Sequence, residues 1–582
     1  MPNKDDIADT LESIGLLLEL KGENAFKTRA YGNAARAVET YPGNIETLAR
    51  EKRLAEIPGI GAAIAAKISE LVETGRLEFY EKLRGEFPAT LFELFELQGV
   101  GAKKIKALYE QLGVTSIAEL EAACKAGRVA ALAGFGEKTA AKMLAAIAAR
   151  GRYAETYRLG TVAPLAENLL EHLKEDPDVT QACIAGSYRR RKETLHDLDF
   201  IVATRFPEEV TAHFTRHEAV EEIIAQGPTK TSVRLKTGVQ ADLRVVTSEQ
   251  YPFALAYFTG SKEHNVKIRG LALGRGWTLN EYRLAPVEGK GGAAIPEICE
   301  EADLHEALGL EYIEPELREN RGEIEAAATG SLPPLVTLEN LRGTFHNHTT
   351  ASDGRNSLEE MAQAARDLGL EYLGIADHSK SSFQAHGLDA KRLLEQREEI
   401  RRMNGTQEGF RLFAGTECDV LRDGTLDFSD ELLTQLDYVV ASIHNVFNLP
   451  EAEMTKRIIR AISNPHVTML GHLTGRLLLS REGYAVDVPA VIEAAAATGP
   501  WIELNANPSR LEMDWRWWPL AKEKGVRCTI NPDAHSTSGL QQLWFGVAAA
   551  RKGWLTREDV VNCLPLGKIE SALGEKKGRA RK

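Results

Sequence analysis

The sequence predicts a multidomain protein of mixed α+β and α/β class, and three observations lead to that prediction. The amino-terminal part has apolar residues at helical spacing and several Gly-x-Gly turns. The central part has short apolar strands that carry aspartates. The carboxyl-terminal part alternates apolar strands with helical stretches and places a histidine or an acid after nearly every strand. A chain of 582 residues has room for roughly four domains.

The composition favours a soluble protein of a reducing compartment. Hydrophobic residues make up 43% of the chain, which is ample for several cores. No apolar signal core opens the chain and no apolar run is long enough to span a membrane. The 6 cysteines are scattered without a C-x-x-C pair, which favours a cytoplasmic location and argues against a cysteine zinc site. With a net charge of −13, any contact with nucleic acid must use local basic patches.

A glycine-serine turn in the central part has the features of a phosphate-binding loop. Val179–Ala185 is a short, mostly apolar stretch that predicts a buried strand, and Gly186-Ser187 follows it directly. Glycine lets the backbone approach an anion closely, and successive N–H groups can hold phosphate. The cations from Arg189 to Lys192 would strengthen such a site.

Three aspartates follow this turn on predicted strands. Asp197 and Asp199 alternate along one strand and therefore point to the same face. Asp242 lies on another short apolar strand. Carboxylates that share a face need a counter-charge, and hard divalent cations suit them, so the set indicates two-metal phosphoryl transfer. The alternative is a solvated loop with surface acids, which the loop and the third aspartate together disfavour.

The amino-terminal part repeats one pattern three times. A Gly-x-Gly turn stands before a predicted helix at Ala62–Thr74, at Ala102–Leu112 and at Glu137–Ala149, and each of these helices carries lysine. Free N–H groups at such helix starts can take a DNA phosphate without reading sequence. A single copy would suit a plain helix-helix turn, but three copies favour helix-hairpin-helix motifs. The glycines proposed to contact DNA are Gly59, Gly61, Gly99, Gly101, Gly134 and Gly136.

The carboxyl-terminal part predicts a β/α barrel with a metal centre. The helical stretches are 357–368, 389–403, 451–463, 488–497 and 518–524. The carboxyl ends of the strands between them meet at one mouth of a barrel, where nitrogen and oxygen ligands would hold Mn²⁺ or Zn²⁺. The candidate ligands are His346, His348, Asp353, His378, Glu417, His444, His472, Asp533 and His535. A lone histidine in such a place is usually a core residue, but nine nitrogen and oxygen ligands at successive strand ends disfavour that interpretation.

The central motifs resemble the palm of family X DNA polymerases, the relatives of DNA polymerase beta. The resemblance rests on the Gly-Ser-aromatic-Arg-Arg loop, the Asp-x-Asp pair, the later strand aspartate and Tyr257-Phe258-Thr259-Gly260-Ser261. It implies that the three aspartates are catalytic and hold two Mg²⁺ ions, Asp242 also activating the primer hydroxyl. Implied nucleotide contacts are Gly186, Ser187, Arg190, Tyr257, Phe258, Gly260 and Asn265, and Arg269 would face the template strand.

Three positions depart from the family pattern. Arg191 and His196 stand where relatives usually carry glycine, so their side chains are expected to crowd the triphosphate, which puts polymerase strength in question. Lys67 matches a lysine that forms a Schiff base with an abasic sugar in lyase-active relatives. Ala63 replaces a second lysine of those relatives, so Lys67 is either a lyase nucleophile or a phosphate contact.

The barrel motifs resemble the polymerase-and-histidinol-phosphatase (PHP) domain, a distorted seven-stranded β/α barrel with three metals. The resemblance implies that one metal is held by His346, His348, Glu417 and Asp533, a second by Glu417, His444 and His472, and a third by Asp353, His378 and His535. Substrate phosphate would be bound by Arg476, Lys380 or Arg510. Three tryptophans, Trp515, Trp517 and Trp518, either pack the barrel or stack on a base.

The two resemblances together divide the chain. The expected parts are a lyase-like helix-hairpin-helix domain at 1–88, fingers at 89–150, the palm at 151–260, a thumb at 261–318, a solvated linker at 319–338, the PHP domain at 339–575 and a flexible basic tail at 576–582.

The expected function is a monomeric, cytoplasmic DNA repair polymerase that acts on gapped or nicked DNA and deoxynucleoside triphosphates (dNTPs). The barrel would be a 3′–5′ exonuclease, with 3′-phosphatase or abasic-site endonuclease as further activities. The alternatives are a PHP nuclease whose polymerase half mainly grips DNA and a non-catalytic DNA-end scaffold. A small-molecule phosphatase is disfavoured because it would have no use for three DNA-gripping motifs.

Overall fold

The computed structural model describes residues 4–40, 45–97, 100–153, 156–287, 294–405 and 408–580. The chain divides into two compact units. The first holds the chain up to Ala154 together with Gly354–Asn356, and the second holds everything else. No helix among the described residues is long and apolar enough to cross a membrane.

The first unit is helical. Its helices are α1 (Lys4–Lys21), α2 (Ala25–Thr40), α3 (Ile45–Arg50), α4 (Ala62–Thr74), α5 (Glu78–Arg84), α6 (Ala102–Leu112), α7 (Ile117–Lys125) and α8 (Gly136–Tyr153). Gly61 and Gly101 cap α4 and α6 in extended conformation, and both helices end at a glycine in the left-handed region. The ranges predicted for α4 and α6 are confirmed, and α8 begins one residue earlier and ends later than predicted.

The second unit begins with a mixed sheet, here called the central sheet. The elements of this part are β1 (Tyr157–Arg158), α9 (Leu159–Glu175), β2 (Val179–Ile184), α10 (Gly186–Arg189), β3 (Thr194–Leu195), β4 (Asp197–Thr204), α11 (Pro207–Thr215), β5 (Val220–Gln226), β6 (Lys230–Leu235) and β7 (Gln240–Val246). The strand order of the central sheet is β2-β4-β7-β6-β5. Only β4 and β7 run parallel, which brings two acid-bearing strands side by side.

A smaller segment follows the central sheet and ends in the predicted linker. It contains α12 (Tyr251–Thr259), α13 (Lys262–Gly274), β8 (Trp277–Leu279), β9 (Leu284–Pro286), α14 (Glu301–Ala307) and α15 (Glu323–Ala328). The prediction that the linker is solvated holds for Glu325, which is exposed, but is wrong for Glu323. Glu323 is fully buried. Its carboxylate accepts hydrogen bonds from the His264 ring at 2.8 Å and from the Arg321 N–H at 2.7 Å, which compensate for the loss of water.

The rest of the unit is a β/α barrel. Its elements are β10 (Gly343–Thr344), α16 (Leu358–Asp367), β11 (Tyr372–Ile375), α17 (Ala390–Asn404), β12 (Arg411–Ala414), β13 (Glu417–Asp419), α18 (Asp430–Leu433), β14 (Val440–Ser442), α19 (Glu451–Ile462), β15 (Met469–Leu470), α20 (Val488–Thr498), β16 (Trp501–Asn505), α21 (Trp518–Glu523), β17 (Cys528–Asn531), α22 (Leu543–Lys552) and α23 (Leu566–Ala580).

All paired barrel strands run parallel, in two sheets, β10-β11-β12 and β13-β14-β15-β16-β17. A bridge between His378 and Glu417 joins the sheets on one side, and a bridge between Asn347 and Ala534 closes the barrel on the other. Counting β12 and β13 as one interrupted strand gives the distorted seven-stranded barrel that the resemblance to the PHP domain implies.

Three local predictions for the barrel need revision or gain detail. His346 and His348 lie beyond the end of β10 at Thr344, where the Asn531 side chain accepts from the Phe345 N–H and the Ala534 carbonyl accepts from the His348 N–H. The tail predicted as flexible is helical up to Ala580, and residues 581–582 lie outside the described part of the chain. Of the three tryptophans, two pack into the barrel and Trp517 is 36% exposed.

The barrel and the central sheet share a contact surface. Trp544 and Phe545 on α22 pack against the core of the central sheet. Glu193 accepts hydrogen bonds from the Trp515 indole at 3.3 Å and from the Arg516 guanidinium at 3.1 Å. Arg158 donates to the Ser509 hydroxyl at 2.7 Å. Apolar and charged contacts therefore both hold the barrel against the sheet.

We expect the substitution Asn562→Ala to destabilise the barrel. The buried Asn562 amide donates to the Gly343 carbonyl at 2.9 Å and to the Ile530 carbonyl at 2.7 Å, and its oxygen accepts from the Ile530 N–H. Leaving these groups unpaired costs about 2–4 kcal/mol. Calorimetry should show a lower melting temperature for Asn562→Ala, and little change for Ser571→Ala on the exposed face of α23. Equal melting temperatures for both would contradict this role.

Candidate metal and nucleotide sites

The central sheet brings the three predicted catalytic aspartates together. Asp197 and Asp199 lie on the same face of β4, and Asp242 on β7 stands directly opposite Asp199 in the parallel register. Asp197 is exposed, Asp199 is half-buried and Asp242 is buried. Exposure thus decreases from Asp197 through Asp199 to Asp242, and the site opens to solvent at the start of β4.

The pKa values of these aspartates reflect burial, the neighbouring carboxylates and the nearby Lys230. Burial, together with the charges of Asp197 and Asp242, raises the pKa of Asp199 to about 7. Burial and Asp242 also raise the pKa of Asp197. Burial alone would raise the pKa of Asp242, but hydrogen bonds, first from Lys230 and then from Ser232 and Gln240, lower it. The Lys230 ammonium lies 2.7 Å from Asp242 Oδ2, a contact that sequence reasoning missed.

The phosphate loop fits closely against this site. Gly186 begins α10 with a φ of +60°, and a β-carbon on it would lie 2.4 Å from Asp199 Oδ2. Any larger residue would therefore collide with a candidate metal ligand. The predicted loop takes the form of one helical turn, Gly186–Arg189, which also contains Ser187.

The Arg190 guanidinium, the predicted triphosphate contact, is engaged within the protein. Its Nε donates to Glu319 Oε1 at 3.1 Å, and one of its terminal nitrogens donates to the Thr259 carbonyl at 2.5 Å. Gly260 comes next, and a β-carbon on it would lie 3.0 Å from the same terminal nitrogen. The loop, the end of α12 and Glu319 thus meet at Arg190.

Arg191 and His196 stand where crowding of the triphosphate was expected. Arg191 takes a left-handed backbone with a φ of +54°, which explains why glycine suits this position. Its guanidinium, however, lies over the Trp544 ring at 4.5 Å and the Tyr188 ring at 5.2 Å, so it packs toward the barrel. The exposed His196 ring lies 3.2 Å from the Thr156 hydroxyl.

The end of α12 and the start of α13 hold the other predicted nucleotide contacts. The rings of Tyr257 and Phe258 meet edge to face at 5.2 Å, and the Arg244 guanidinium lies over Phe258 at 4.6 Å. Asn265 donates to the Tyr257 carbonyl at 2.7 Å, and Arg269 donates to the Asn265 carbonyl at 3.3 Å. These contacts hold Asn265 beside the aromatic pair.

In the barrel, Glu417 is the centre of the candidate metal site. This carboxylate is 1% exposed and has imidazole nitrogens around both oxygens. The surrounding nitrogens belong to His346 at 3.2 Å, His348 at 3.7 Å, His378 at 2.8 Å, His444 at 3.2 Å and His472 at 2.9 Å.

The remaining candidates lie at the edge of the same cluster. Asp533 Oδ1 is 3.1 Å from the His348 ring, and Asp353 Oδ2 is 3.5 Å from the His378 ring and 3.4 Å from the His535 ring. All nine candidate ligands predicted from the sequence therefore converge on one mouth of the barrel. Three groups have ligand atoms within 4.8 Å of one another: His348, Asp353, His378 and His535; His346, His348 and Asp533; and His378, Glu417 and His444.

The donor set fits divalent metals. Among the described residues, several buried atoms of this cluster lack any hydrogen-bond partner. These atoms are His346 Nε2, His348 Nδ1, His378 Nδ1, His472 Nδ1 and Glu417 Oε2. Buried polar atoms normally have partners, so a cluster of nitrogen and oxygen atoms without hydrogen bonds indicates metal ligation.

Two acids behind the cluster orient its histidines, and sequence reasoning missed both. Asp419 accepts from His444 Nδ1 at 2.6 Å, and Glu503 accepts from His346 Nδ1 at 2.6 Å. Such partners fix the tautomer and direction of a ligating ring. Asp419 stands two residues after Glu417 on β13, so strand alternation could have indicated it. Glu503 lies on β16, where no histidine marks the sequence.

The charges of the cluster show its preference for cations. Burial lowers the pKa of His346 and His378, but the surrounding carboxylates outweigh it and raise both pKa values well above the ordinary range. The same balance raises the pKa of His444 to about 9. Burial opposes ionisation of Glu417, yet the neighbouring imidazoles keep its pKa well below the usual range. The buried carboxylates thus favour positive charge at this site.

The structure distinguishes the three candidate phosphate-binding cations. Arg476 is tied to Asp514 at 2.7 Å and to the Arg510 carbonyl at 2.8 Å, so its role is structural. Arg510 Nε lies 3.6 Å from Asp533 Oδ2, and one of its terminal nitrogens is buried without a hydrogen-bond partner among the described residues. Lys380 is exposed in the loop after His378. Arg510 is therefore the cation best placed to reach a phosphate at the metal site.

The predicted DNA-contacting glycines begin or flank helices of the first unit. Gly59, Gly134 and Gly136 have left-handed backbones, and Gly99 lies outside the described residues. Lys67 on α4 is half-buried, with its ammonium 4.8 Å from the centre of the Phe79 ring. The glycine turns therefore stand at helix starts, while Lys67 packs against an aromatic ring.

The fold and the two acid-rich sites define a class of protein: a polymerase beta-like nucleotidyltransferase joined to a PHP metal barrel. Family models match in four places. They are a helix-hairpin-helix domain at residues 1–77, a SAM-like helix-hairpin-helix tandem at 92–149, a DNA polymerase beta thumb at 254–319 and a PHP domain at 344–505.

Comparison with individual proteins identifies the family. The chain is 39% identical over 573 residues to the DNA polymerase/3′-5′ exonuclease PolX of Bacillus subtilis (strain 168), covering 98% of this chain and 99% of that protein. The chain therefore belongs to the bacterial family X DNA polymerases that carry a carboxyl-terminal PHP domain. A probable phosphatase of Thermoanaerobacter sp. (strain X514) is 30% identical over 40% of this chain and 94% of its own length. DNA polymerase lambda of Arabidopsis thaliana is 26% identical over 50% of this chain and 57% of its own length.

We expect Asp199→Asn to stabilise the metal-free protein more at alkaline than at acidic pH. Because the folded-state pKa of Asp199 is raised to about 7, ionising it in the fold carries a penalty. That penalty is absent below the unfolded pKa of about 4, grows as the pH rises and is complete above about pH 7. In a chelator, Asp199→Asn should raise the melting temperature more at about pH 8 than at about pH 5. The corresponding gain in the free energy of unfolding is at most about 4 kcal/mol. The exposed control Glu221→Gln should show no such trend.

We also expect metal binding to the barrel to release protons near neutral pH. The raised pKa values of His346, His378 and His444 mean that these rings hold protons that ligation must displace. Titration calorimetry with Mn²⁺ in two buffers of different ionisation heat should give different binding heats. The barrel variant His346→Ala/His348→Ala should lose most of this difference and keep the smaller share that comes from Asp199, whereas Asp197→Ala/Asp199→Ala should keep the larger share. Identical heats for the unsubstituted protein would refute proton release.

Proposed function

We propose that this protein fills short gaps in DNA by template-directed nucleotide addition and trims DNA 3′ ends in its barrel. The observation that carries the proposal is the completeness of both acid-rich sites in one chain whose similarity to a polymerase/3′-5′ exonuclease covers 98% of its length. Gapped or nicked DNA and dNTPs would be its substrates. It would work as a monomer.

The central sheet would carry out nucleotide addition. Asp197 and Asp199 would hold two Mg²⁺ ions, and Asp242, in register with Asp199, would help to bind the catalytic ion and accept the primer hydroxyl proton. When bound, divalent cations neutralise charge on phosphate oxygens and, in the barrel, lower the pKa of a water molecule that attacks phosphorus.

Backbone and side-chain groups around the aspartates would hold the nucleotide. The N–H groups of Gly186 and Ser187, with the Arg190 guanidinium, would bind the triphosphate. The aromatic pair Tyr257 and Phe258 would lie against the sugar, and the tight backbone at Gly260 would reject a ribose hydroxyl. Asn265 would face the base and Arg269 the template strand.

The barrel would remove nucleotides from a 3′ end. Its nine nitrogen and oxygen ligands, Glu417 among them, would hold three Mn²⁺ or Zn²⁺ ions. The Arg510 guanidinium would bind the phosphate that is cleaved, because its Nε lies 3.6 Å from Asp533 Oδ2 at the mouth. Asp419 and Glu503 would keep the ligating rings in place.

The helical first unit would grip DNA through its backbone phosphates. Glycine turns at the helix starts leave N–H groups free for phosphate without reading sequence. Lys67 would contact the 5′ side of a gap, as a phosphate contact or as a lyase nucleophile. This part at 1–88, fingers at 89–150 and a palm at 151–260 would be the working divisions of the polymerase half.

A second candidate activity for the barrel is removal of a 3′-terminal phosphate. The observation that favours it is the similarity to probable phosphatases, which covers 40% of this chain and 94% of the Thermoanaerobacter protein. The two reactions share a metal site and a phosphate substrate, so a primer that ends in a 3′-phosphate is the appropriate second substrate for the same assay.

We expect two pairs of substitutions to separate the two activities. On a labelled primer in a gapped duplex, with Mn²⁺, Asp197→Ala/Asp199→Ala should abolish extension by dNTPs and leave shortening intact. His346→Ala/His348→Ala should abolish shortening and leave extension intact. Each pair removes ligands of only one metal site, so losses of at least about a hundredfold are expected.

The outcomes of this assay discriminate the alternatives. If the unsubstituted protein shortens the primer but never extends it, the central sheet serves as a DNA grip. If neither reaction occurs while gapped DNA is bound, the protein is a scaffold. If both pairs of substitutions abolish both reactions, the two sites are not independent.

A further inference from the structure

We propose that Lys552, a barrel residue, positions the polymerase site by holding Glu319 so that the Arg190 guanidinium can leave it for the triphosphate. The inference rests on the proposed role of Arg190 in nucleotide binding. It assigns to the barrel a part in nucleotide addition that is separate from its metal chemistry.

Lys552 is inserted between the barrel and the polymerase half. It stands at the end of α22, and its side chain is 1% exposed. Its ammonium donates to Glu319 Oε1 at 2.6 Å, to the Arg190 carbonyl at 3.0 Å and to the Glu316 carbonyl at 3.4 Å. All three acceptors lie outside the barrel, so these hydrogen bonds of Lys552 all go to the polymerase half.

Glu319 is the shared partner. The same oxygen, Oε1, accepts from Lys552 Nζ at 2.6 Å and from Arg190 Nε at 3.1 Å. Burial alone would raise the pKa of Glu319, but these two cations lower it, so the carboxylate is charged. One buried negative charge therefore balances two cations, and losing one cation leaves it still paired.

Arg190 must change partners to bind a triphosphate. Its side chain is 12% exposed, and its nitrogens are taken by Glu319 and by the Thr259 carbonyl. Leaving a buried carboxylate without any cation is costly, and that cost would be subtracted from nucleotide affinity. Because Lys552 remains on Glu319, the guanidinium can depart without stranding the charge.

The arrangement predicts whether each substitution weakens nucleotide binding. Removing the Lys552 charge leaves Glu319 dependent on Arg190 alone, so Arg190 is held back and nucleotide binding weakens. Removing the Glu319 charge releases Arg190, so nucleotide binding does not weaken. Removing both charges cancels the first effect, because the residue that retains Arg190 is no longer charged.

The test is single-nucleotide gap filling with the full chain, measuring KM for the dNTP and kcat. We expect Lys552→Met to raise KM about tenfold with kcat little changed. Glu319→Gln should leave KM equal or lower, and Lys552→Met/Glu319→Gln should restore it to near the unsubstituted value. Lys522→Met is the matched control, since Lys522 pairs with Asp559 inside the barrel at 2.7 Å. Mn²⁺-dependent primer shortening and the melting temperature report whether each variant is folded.

The results separate this inference from the function beneath it. Arg190→Ala must raise KM if Arg190 binds the triphosphate, and an unchanged KM there would refute that role itself. If Arg190→Ala raises KM while folded Lys552→Met does not, the positioning role of Lys552 is refuted. Should Lys552→Met lose primer shortening through misfolding, Glu319→Gln decides: a KM as high as that of Arg190→Ala would show that Glu319 holds Arg190 productively, which overturns the proposal.

Discussion

The barrel depends on one buried carboxylate, Glu417, surrounded by imidazoles. A charge so deeply buried is tolerated only if opposite charges or metals surround it. The strand ends supply that environment, since β10, β11, β14 and β15 each deliver a histidine to within 4 Å of Glu417 from their carboxyl ends. Asp419 and Glu503 then hold the outer nitrogens of two rings. The chain's regular alternation of strand and helix is what allows so many polar groups to meet in a barrel interior.

The polymerase half also gathers carboxylates in one place, but it compensates for their charge in a different way. Its three carboxylates face solvent on one side, and their burial is partial, so Lys230 balances Asp242 while Asp199 remains poorly compensated. Gly186 presses against Asp199 so closely that the phosphate loop and the metal ligands form one unit. One site stores positive charge as protons on histidines, and the other has a lysine at its edge. Both gather several carboxylates in one place, and such clusters favour divalent cations.

Local patterns predicted much of this structure, because capping and periodicity are short-range. The starts of α4, α6 and α20 follow from glycine or aspartate beside an apolar repeat, and the nine barrel ligands follow from histidines and acids after apolar runs. Long-range partners were not predictable. Lys552, Lys230 and Glu503 carry no motif, and their importance comes from residues far along the chain. The burial of Glu323 in the linker was not predicted for the same reason, because its buried partner His264 is distant in sequence.

The contact between Arg191 and Trp544 has a consequence for how freely the two halves can be separated. Cutting the chain before the barrel would expose the Trp544 and Phe545 rings that cover the central sheet, and it would leave Lys552 as an isolated cation in an apolar surface. Either fragment would expose an apolar surface that is buried in the whole protein. A fragment that contains only the sheet or only the barrel is therefore expected to aggregate, because each part covers apolar surface of the other.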